Sequence, residues 1–190
     1  MDIAALLESL QASGLATRIR DGLFLFPMLE SIHVVGLALV FGTIAIVDLR
    51  LLGKASTERP FQRMASDILK WTWAAFAMTA VTGALMFTTN ATVYYHNSYF
   101  RTKMVLLALA AVNILVFELT DGRRIPLWDK APSAPPKGRA VAVLSLAIWI
   151  AVIVMGRLIG FTTSRAEVAP TPTDINFEDF LAPTAPPQSK

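Results

Sequence analysis

Glu30, His33 and Arg157 stand inside long apolar runs of this 190-residue sequence, where ionisable groups are costly and need a reason. Glu30 and His33 are spaced i, i+3, so they share one face of a helix, and Gly36 continues that face. Counted from the ends of the spans defined below, Glu30 lies about 5 Å deep, His33 about 9 Å and Arg157 about 6 Å. The three are therefore expected at one level near one membrane surface. A neutral imidazole in a helical bundle is a common axial ligand of haem b, and an arginine at the same depth suits a propionate. A second axial ligand would come from His96, which sits among Tyr94, Tyr95 and Tyr99, or from a methionine. Copper is the alternative: Met28, Met86, Met104 and Met155 all fall toward the same end of the spans as His33 and His96. Thioethers with imidazole suit Cu(I), although methionine also serves as plain apolar filling. A third reading has no cofactor at all. In it Glu30 and Arg157 neutralise each other, or Arg157 reaches the interface, and His33 is hydrogen-bonded nearby.

Other chemistries find no support. The sequence has no cysteine, hence no thiolate metal site, disulfide or cysteine nucleophile. It carries no phosphate-cradling glycine loop, nucleophile elbow or paired-carboxylate arrangement, so a non-enzyme is the favoured expectation. Asn90-Ala91-Thr92 matches a glycosylation acceptor by chance in a chain of bacterial character. The net charge of +3 does not gather on one helix or strand face, which argues against nucleic acid.

The elements that must position these residues follow from composition. Hydrophobic residues make up 54% and charged residues 16% of the chain, against roughly 25% charged in a soluble domain. The apolar excess lies in four blocks, about 27–48, 68–89, 101–119 and 141–161. Each is about long enough to cross a hydrocarbon core of roughly 30 Å as a helix, and lipid leaves no partner for an open sheet. Trp71 and Trp73 stand where an interfacial aromatic belt belongs. Charge sets orientation. Arg50, Lys54, Arg59, Arg63 and Lys70 follow the first block, and Arg123, Arg124, Lys130, Lys137 and Arg139 follow the third. The other side has Arg18, Arg20, Arg101, Lys103 and Arg165. Ten basic residues against five place the first set in the cytoplasm and both termini in the periplasm of an inner membrane.

Asp48, Arg50 and Glu118 read as boundary charges or an inner ion pair, and Asn113 as an interhelical hydrogen-bonding group. The connection from Thr120 to Arg139, with Pro126, Pro132, Pro135 and Pro136, reads as an irregular tether. At the amino terminus, Ile3, Leu6, Leu7 and Leu10 fall on one helical face, which predicts an interfacial helix within residues 1–22 or an extension of the bundle. Asp2 and Glu8 there argue against a cleavable signal. Residues 164–190, rich in proline and polar groups, read as a disordered tail. Phe177, Phe180 and Leu181 within it could dock on a partner protein.

The run Glu30-Ser31-Ile32-His33-Val34-Val35-Gly36-Leu37-Ala38-Leu39, then Gly42, then Asp48-Leu49-Arg50-Leu51-Leu52-Gly53, resembles a bacterial family of membrane proteins of unknown function. Thr82-Gly83, Phe100 to Lys103 and Gly156-Arg157 fit the same pattern, and the likeness covers about residues 24–162. It implies a fold and no activity. More distantly, the chain is similar to the membrane domains of copper-resistance D type and of the small haem-containing protoporphyrinogen oxidase. That similarity implies His33 as a ligand. The chain departs from both in carrying Phe41, not tryptophan, before Gly42, and in lacking a histidine in the third span.

The resulting expectation is an all-α, integral membrane four-helix bundle over residues 23–163. Its expected function is that of a small redox or metal-associated protein binding haem b or copper. The alternatives are a cofactor-free subunit or assembly factor and an oligomeric proton or solute pathway. Ala38 and Gly42, spaced i, i+4, are candidates for helix contacts within or between copies in a homo-oligomer.

Overall fold

The computed structural model describes residues 2–168, with side chains through Thr162. Residues 169–190, including Phe177, Phe180 and Leu181, lie outside the described part. The described residues form helices α1 (Ile3–Gln11), α2 (Gly14–Asp21), α3 (Leu25–Leu51), α4 (Phe61–Thr89), α5 (Ala91–His96), α6 (Ser98–Leu119), α7 (Ile125–Trp128) and α8 (Pro136–Val168). Four of them (α3, α4, α8 and the run opened by α6) are long and apolar enough to cross a membrane. They are longer than the apolar blocks alone because polar turns continue them. The 29 residues of α4 rise about 43 Å, so its first turns (Phe61 to Asp67) project past the bilayer. Trp71 and Trp73 are then exposed where the helix meets the interface, as a belt requires.

Helix ends are set by local chemistry. Pro27 sits in the first turn of α3, where its missing N–H has no role. The same helix ends in a Schellman arrangement: Gly53 has φ of 72°, its N–H donates to Arg50, and the Lys54 N–H donates to Leu49. A side chain at Gly53 would also meet the Pro132 carbonyl at 2.9 Å, so glycine is required twice over. The Asn97 side chain caps α6 by accepting from the Tyr99 and Phe100 N–H groups, and donates to the Thr162 hydroxyl at 2.9 Å.

The bundle is two helical hairpins. α3 packs along α4, α6 packs along α8, and the hairpins meet through α3 and α8. α4 and α6 are not in close backbone contact; Phe87 and Phe100, stacked at 5.3 Å, bridge them at one end. Gly36 sets the closest approach of the first hairpin, since a Cβ there would collide with the Thr79 hydroxyl. Gly42 has open space around it and makes no such contact within the chain. A central core joins all four spans through Val40, Ala75, Ala110, Ile148, Trp149 and Val152. Asn113 is buried and donates to the Val141 carbonyl at 3.1 Å, an interhelical bond of the expected kind.

Two expectations change at the basic end. Residues 120–135 are no irregular tether: a 3₁₀ turn (Gly122–Arg124) leads into α7, and α8 already starts at Pro136. Trp128 explains the order, because its ring is buried 5.0 Å from that of Phe61 and its indole N–H donates to Asp121. Nor does Arg50 form an ion pair. It is fully buried, and its guanidinium donates to the carbonyls of Arg59, Asp129, Ala131 and Pro132, fastening the two loops of this end together. Asp48, also buried, interacts instead with Ser145 of α8.

At the other end, α1 and α2 are separate helices, because Ser13 caps α2 by accepting from the Ala16 N–H. They pack on α5 and on the ends of α3 and α4. Leu7 is buried against the bundle, while Ile3, Leu6 and Leu10 stay exposed. The apolar stripe is thus shared between protein and lipid. Arg20 donates to the Thr89 carbonyl at 3.2 Å, filling an orphan acceptor where α4 ends.

Candidate functional site

His33 projects from α3 onto α4, where its ring is half-buried. Its Nδ1 lies 3.0 Å from the Thr82 hydroxyl oxygen. That hydroxyl has a single hydrogen, and the Met78 carbonyl one turn back, 2.8 Å away, takes it. With its hydrogen on that carbonyl, Thr82 accepts from the ring, which assigns the hydrogen to Nδ1. The Thr79 carbonyl, another pure acceptor, also acts on the ring. With the hydrogen on Nδ1, Nε2 carries the ring's lone pair. An imidazole oriented by a hydrogen bond at one nitrogen and unprotonated at the other is the arrangement of a ligating histidine. Gly83 makes room for it: a Cβ there would stand 2.9 Å from Cε1 of His33.

The second ionisable member of the site is Lys103, which the sequence analysis counted only among the charges flanking the spans. α6 starts at Ser98, so Lys103 lies in the second turn, about 8 Å along the helix. Its Nζ is 3.8 Å from where a Cβ on Gly156 of α8 would sit, and its charge is felt at the His33 ring. Lys103 makes no ion pair among the described residues. The signal was present in the sequence: Lys103 shares its helical stripe with Leu106, Ala110 and Asn113, all turned toward the bundle. All four spans thus meet at this level, through His33, Thr82 and Gly83, Lys103, and Gly156.

The other candidates are placed elsewhere. Glu30 and Arg157 are exposed and form no ion pair among the described residues; the Arg157 guanidinium lies over the Phe161 ring, 5.3 Å from its centroid. They do not join His33 in one cluster. His96 is exposed on α5, with Nδ1 2.8 Å from the Thr92 carbonyl and its ring edge-on to Tyr95. Met28 and Met104 are exposed, while Met86 and Met155 are half-buried. Among the described residues no three His, Asp or Glu side chains gather as a metal site. The described residues thus bring one imidazole and one ammonium to the same level.

No curated protein and no solved structure matches the chain. Residues 14–162, which include every side chain of the site, match the model described as "Family of unknown function (DUF6644)", and the chain belongs to that family.

Proposed function

We propose that this protein is a small membrane redox protein that would hold haem b in the half of the bundle next to α1 and α2, with His33 as the residue that would ligate it. The observation that supports the reading is the hydrogen-bond chain from His33 through Thr82 to the Met78 carbonyl, which would orient the ring with the Nε2 lone pair available to a metal. Lys103 takes the part first expected of Arg157, as the cation that receives a propionate in the low-dielectric interior. Bound there, haem would supply one-electron chemistry, its potential tuned by the Thr82 hydrogen bond and by the nearby ammonium. The protein's own work is to orient the imidazole, neutralise the carboxylate and keep water away.

The test is an absorption spectrum with metal analysis of protein purified from cells supplied with haem and copper. The expected result is a Soret band that disappears in His33→Ala. Thr82→Val removes the acceptor and frees the ring, and should weaken haem affinity about 10- to 100-fold in a titration. Thr82→Ser should keep most of it. Bound copper lost in His33→Ala would replace haem by the metal reading. A colourless, metal-free preparation would reduce the site to a structural polar cluster.

The orientation we infer from charge puts the end bearing Arg50 in the cytoplasm and the end bearing α1, α2 and α5 in the periplasm. The native chain has no cysteine, so single cysteines report directly. An impermeant maleimide should label Ser98→Cys in intact spheroplasts and Glu58→Cys only after lysis; the reverse pattern would invert the topology.

A further inference from the structure

The loop between α6 and α8 is held from behind and bare in front. Behind it, Trp128 packs on Phe61, and the Asp129 carboxylate accepts from the Gln62 N–H at 2.7 Å. The Asp129 carbonyl accepts from the Phe61 N–H at 3.0 Å, Arg50 takes three of the loop's carbonyls, and the Ala134 N–H donates to Leu51 at 2.9 Å. These bonds come from α3 and α4, so the loop is a fixed part of the bundle end. In front, Leu127 is 83% exposed, more than any other large apolar side chain among the described residues. Arg123, Arg124 and Lys130 surround it in sequence, all exposed and none in an ion pair among the described residues.

A rigid loop would ordinarily turn such a leucine inward, and here the neighbouring Trp128 has taken the inward place. The loop begins two residues after α6 ends, so it sits at the level where the spans leave hydrocarbon for the headgroup layer. There a lone leucine can enter the acyl boundary while cations beside it meet phosphate. Two adjacent guanidiniums add planar, paired donors suited to phosphate oxygens. Because the backbone is already fixed, binding costs little ordering of the chain.

We propose that the loop from Gly122 to Lys130 is a docking site for anionic phospholipid headgroups of the membrane leaflet on the basic side. The inference is independent of the haem reading, since it uses none of the residues of that site. Charge complementarity selects the lipid class: Asp129 is the single acidic residue between Gly122 and Lys130, and it is bonded to the α4 backbone. Zwitterionic headgroups would gain less from three unpaired cations.

The full-length protein in mild detergent would be offered equal amounts of phosphatidylglycerol and phosphatidylcholine, and the retained lipid read by native mass spectrometry. The expected result is selective retention of phosphatidylglycerol, with a loss of about fivefold for each arginine in R123Q/R124Q. Raised salt should weaken the selectivity. Both arginines are exposed, so the melting temperature should hold; if it does not, Leu127→Glu provides a second disruption of the same face. A K54Q/K70Q pair removes two cations from the same end away from the loop and should preserve the selectivity. Equal retention of the two lipids by the native protein, or unchanged selectivity in R123Q/R124Q and Leu127→Glu, would overturn the proposal. So would an equal loss in K54Q/K70Q, which would reduce the effect to a general basic collar. Selective capture of a protein in place of lipid would overturn it in favour of a protein partner.

Discussion

Arg50→Met is expected to destabilise the bundle by more than about 3 kcal/mol and to release the loops at the basic end. The guanidinium is fully buried and serves four carbonyls from two loops that are distant in sequence. Hydrogen bonds to a charged donor are worth roughly 1.5–3 kcal/mol each, and part of that is spent on desolvating the arginine. The larger loss comes from the partners. With methionine in place, the carbonyls of Arg59, Ala131 and Pro132 lose the guanidinium in a place water reaches poorly, and that of Asp129 keeps only the Phe61 N–H. No carboxylate balances Arg50; its setting is the carbonyl-rich last turn of α3, where the helix dipole favours a cation. Arg50→Lys should rescue little, because one ammonium cannot span acceptors that a planar fork reaches together. Thermal unfolding in detergent gives the stability, and limited proteolysis within residues 120–135 reports loop release. A melting curve within about 1 kcal/mol of the native one would show that this guanidinium holds nothing.

Gly83→Ala should be the most damaging single-carbon change at the site. The added methyl would stand 2.9 Å from Cε1 of His33, too close, and 3.4 Å from Nδ1, at the limit of ordinary contact. The imidazole must swing off Thr82, which breaks the bond that fixes its tautomer. Overpacking of this kind costs about 1–3 kcal/mol, so the protein should still be recovered folded. Haem binding should fall at least as far as in Thr82→Val. Gly42→Ala is the matched control: it lies on the same helix as His33, has open space around it, and should gain up to about 1 kcal/mol from helix propensity. If Gly83→Ala and Gly42→Ala bind haem equally, His33 does not ligate through this geometry.

The spans were readable because lipid imposes one rule on every backbone group, and uniform apolar runs of the right length leave no other structure. Depth follows from the constant helix rise, and His33 lies in the third turn of α3. Direction was harder. Glu30 and His33 are neighbours on one face, yet the boundary between protein and lipid falls between them, and hydrophobicity cannot mark it when both sides are apolar. Arg157 and Lys103 show the same limit from opposite sides. Arg157 looked internal by position and lies outward over Phe161, while Lys103 looked like a flanking charge and lies inside. Counting charges for topology treats every lysine near a span end alike, which hid the one whose stripe points to the core. Arg50 was read as a boundary charge because its partners are backbone carbonyls, and carbonyls leave no trace in residue types.

Two hairpins whose backbones meet mainly along α3 and α8 have a consequence for how the molecule is made. α3 with α4 and α6 with α8 can each insert and zip as separate units, with docking between them as the later event. His33, Thr82 and Gly83 belong to the first unit, and Lys103 and Gly156 to the second. Biosynthesis then yields a half-formed intermediate in which the imidazole is oriented but the ammonium has not arrived. If the proposed cofactor binds, its capture would coincide with the closing of the two halves, and occupancy would act as the clasp that completes assembly.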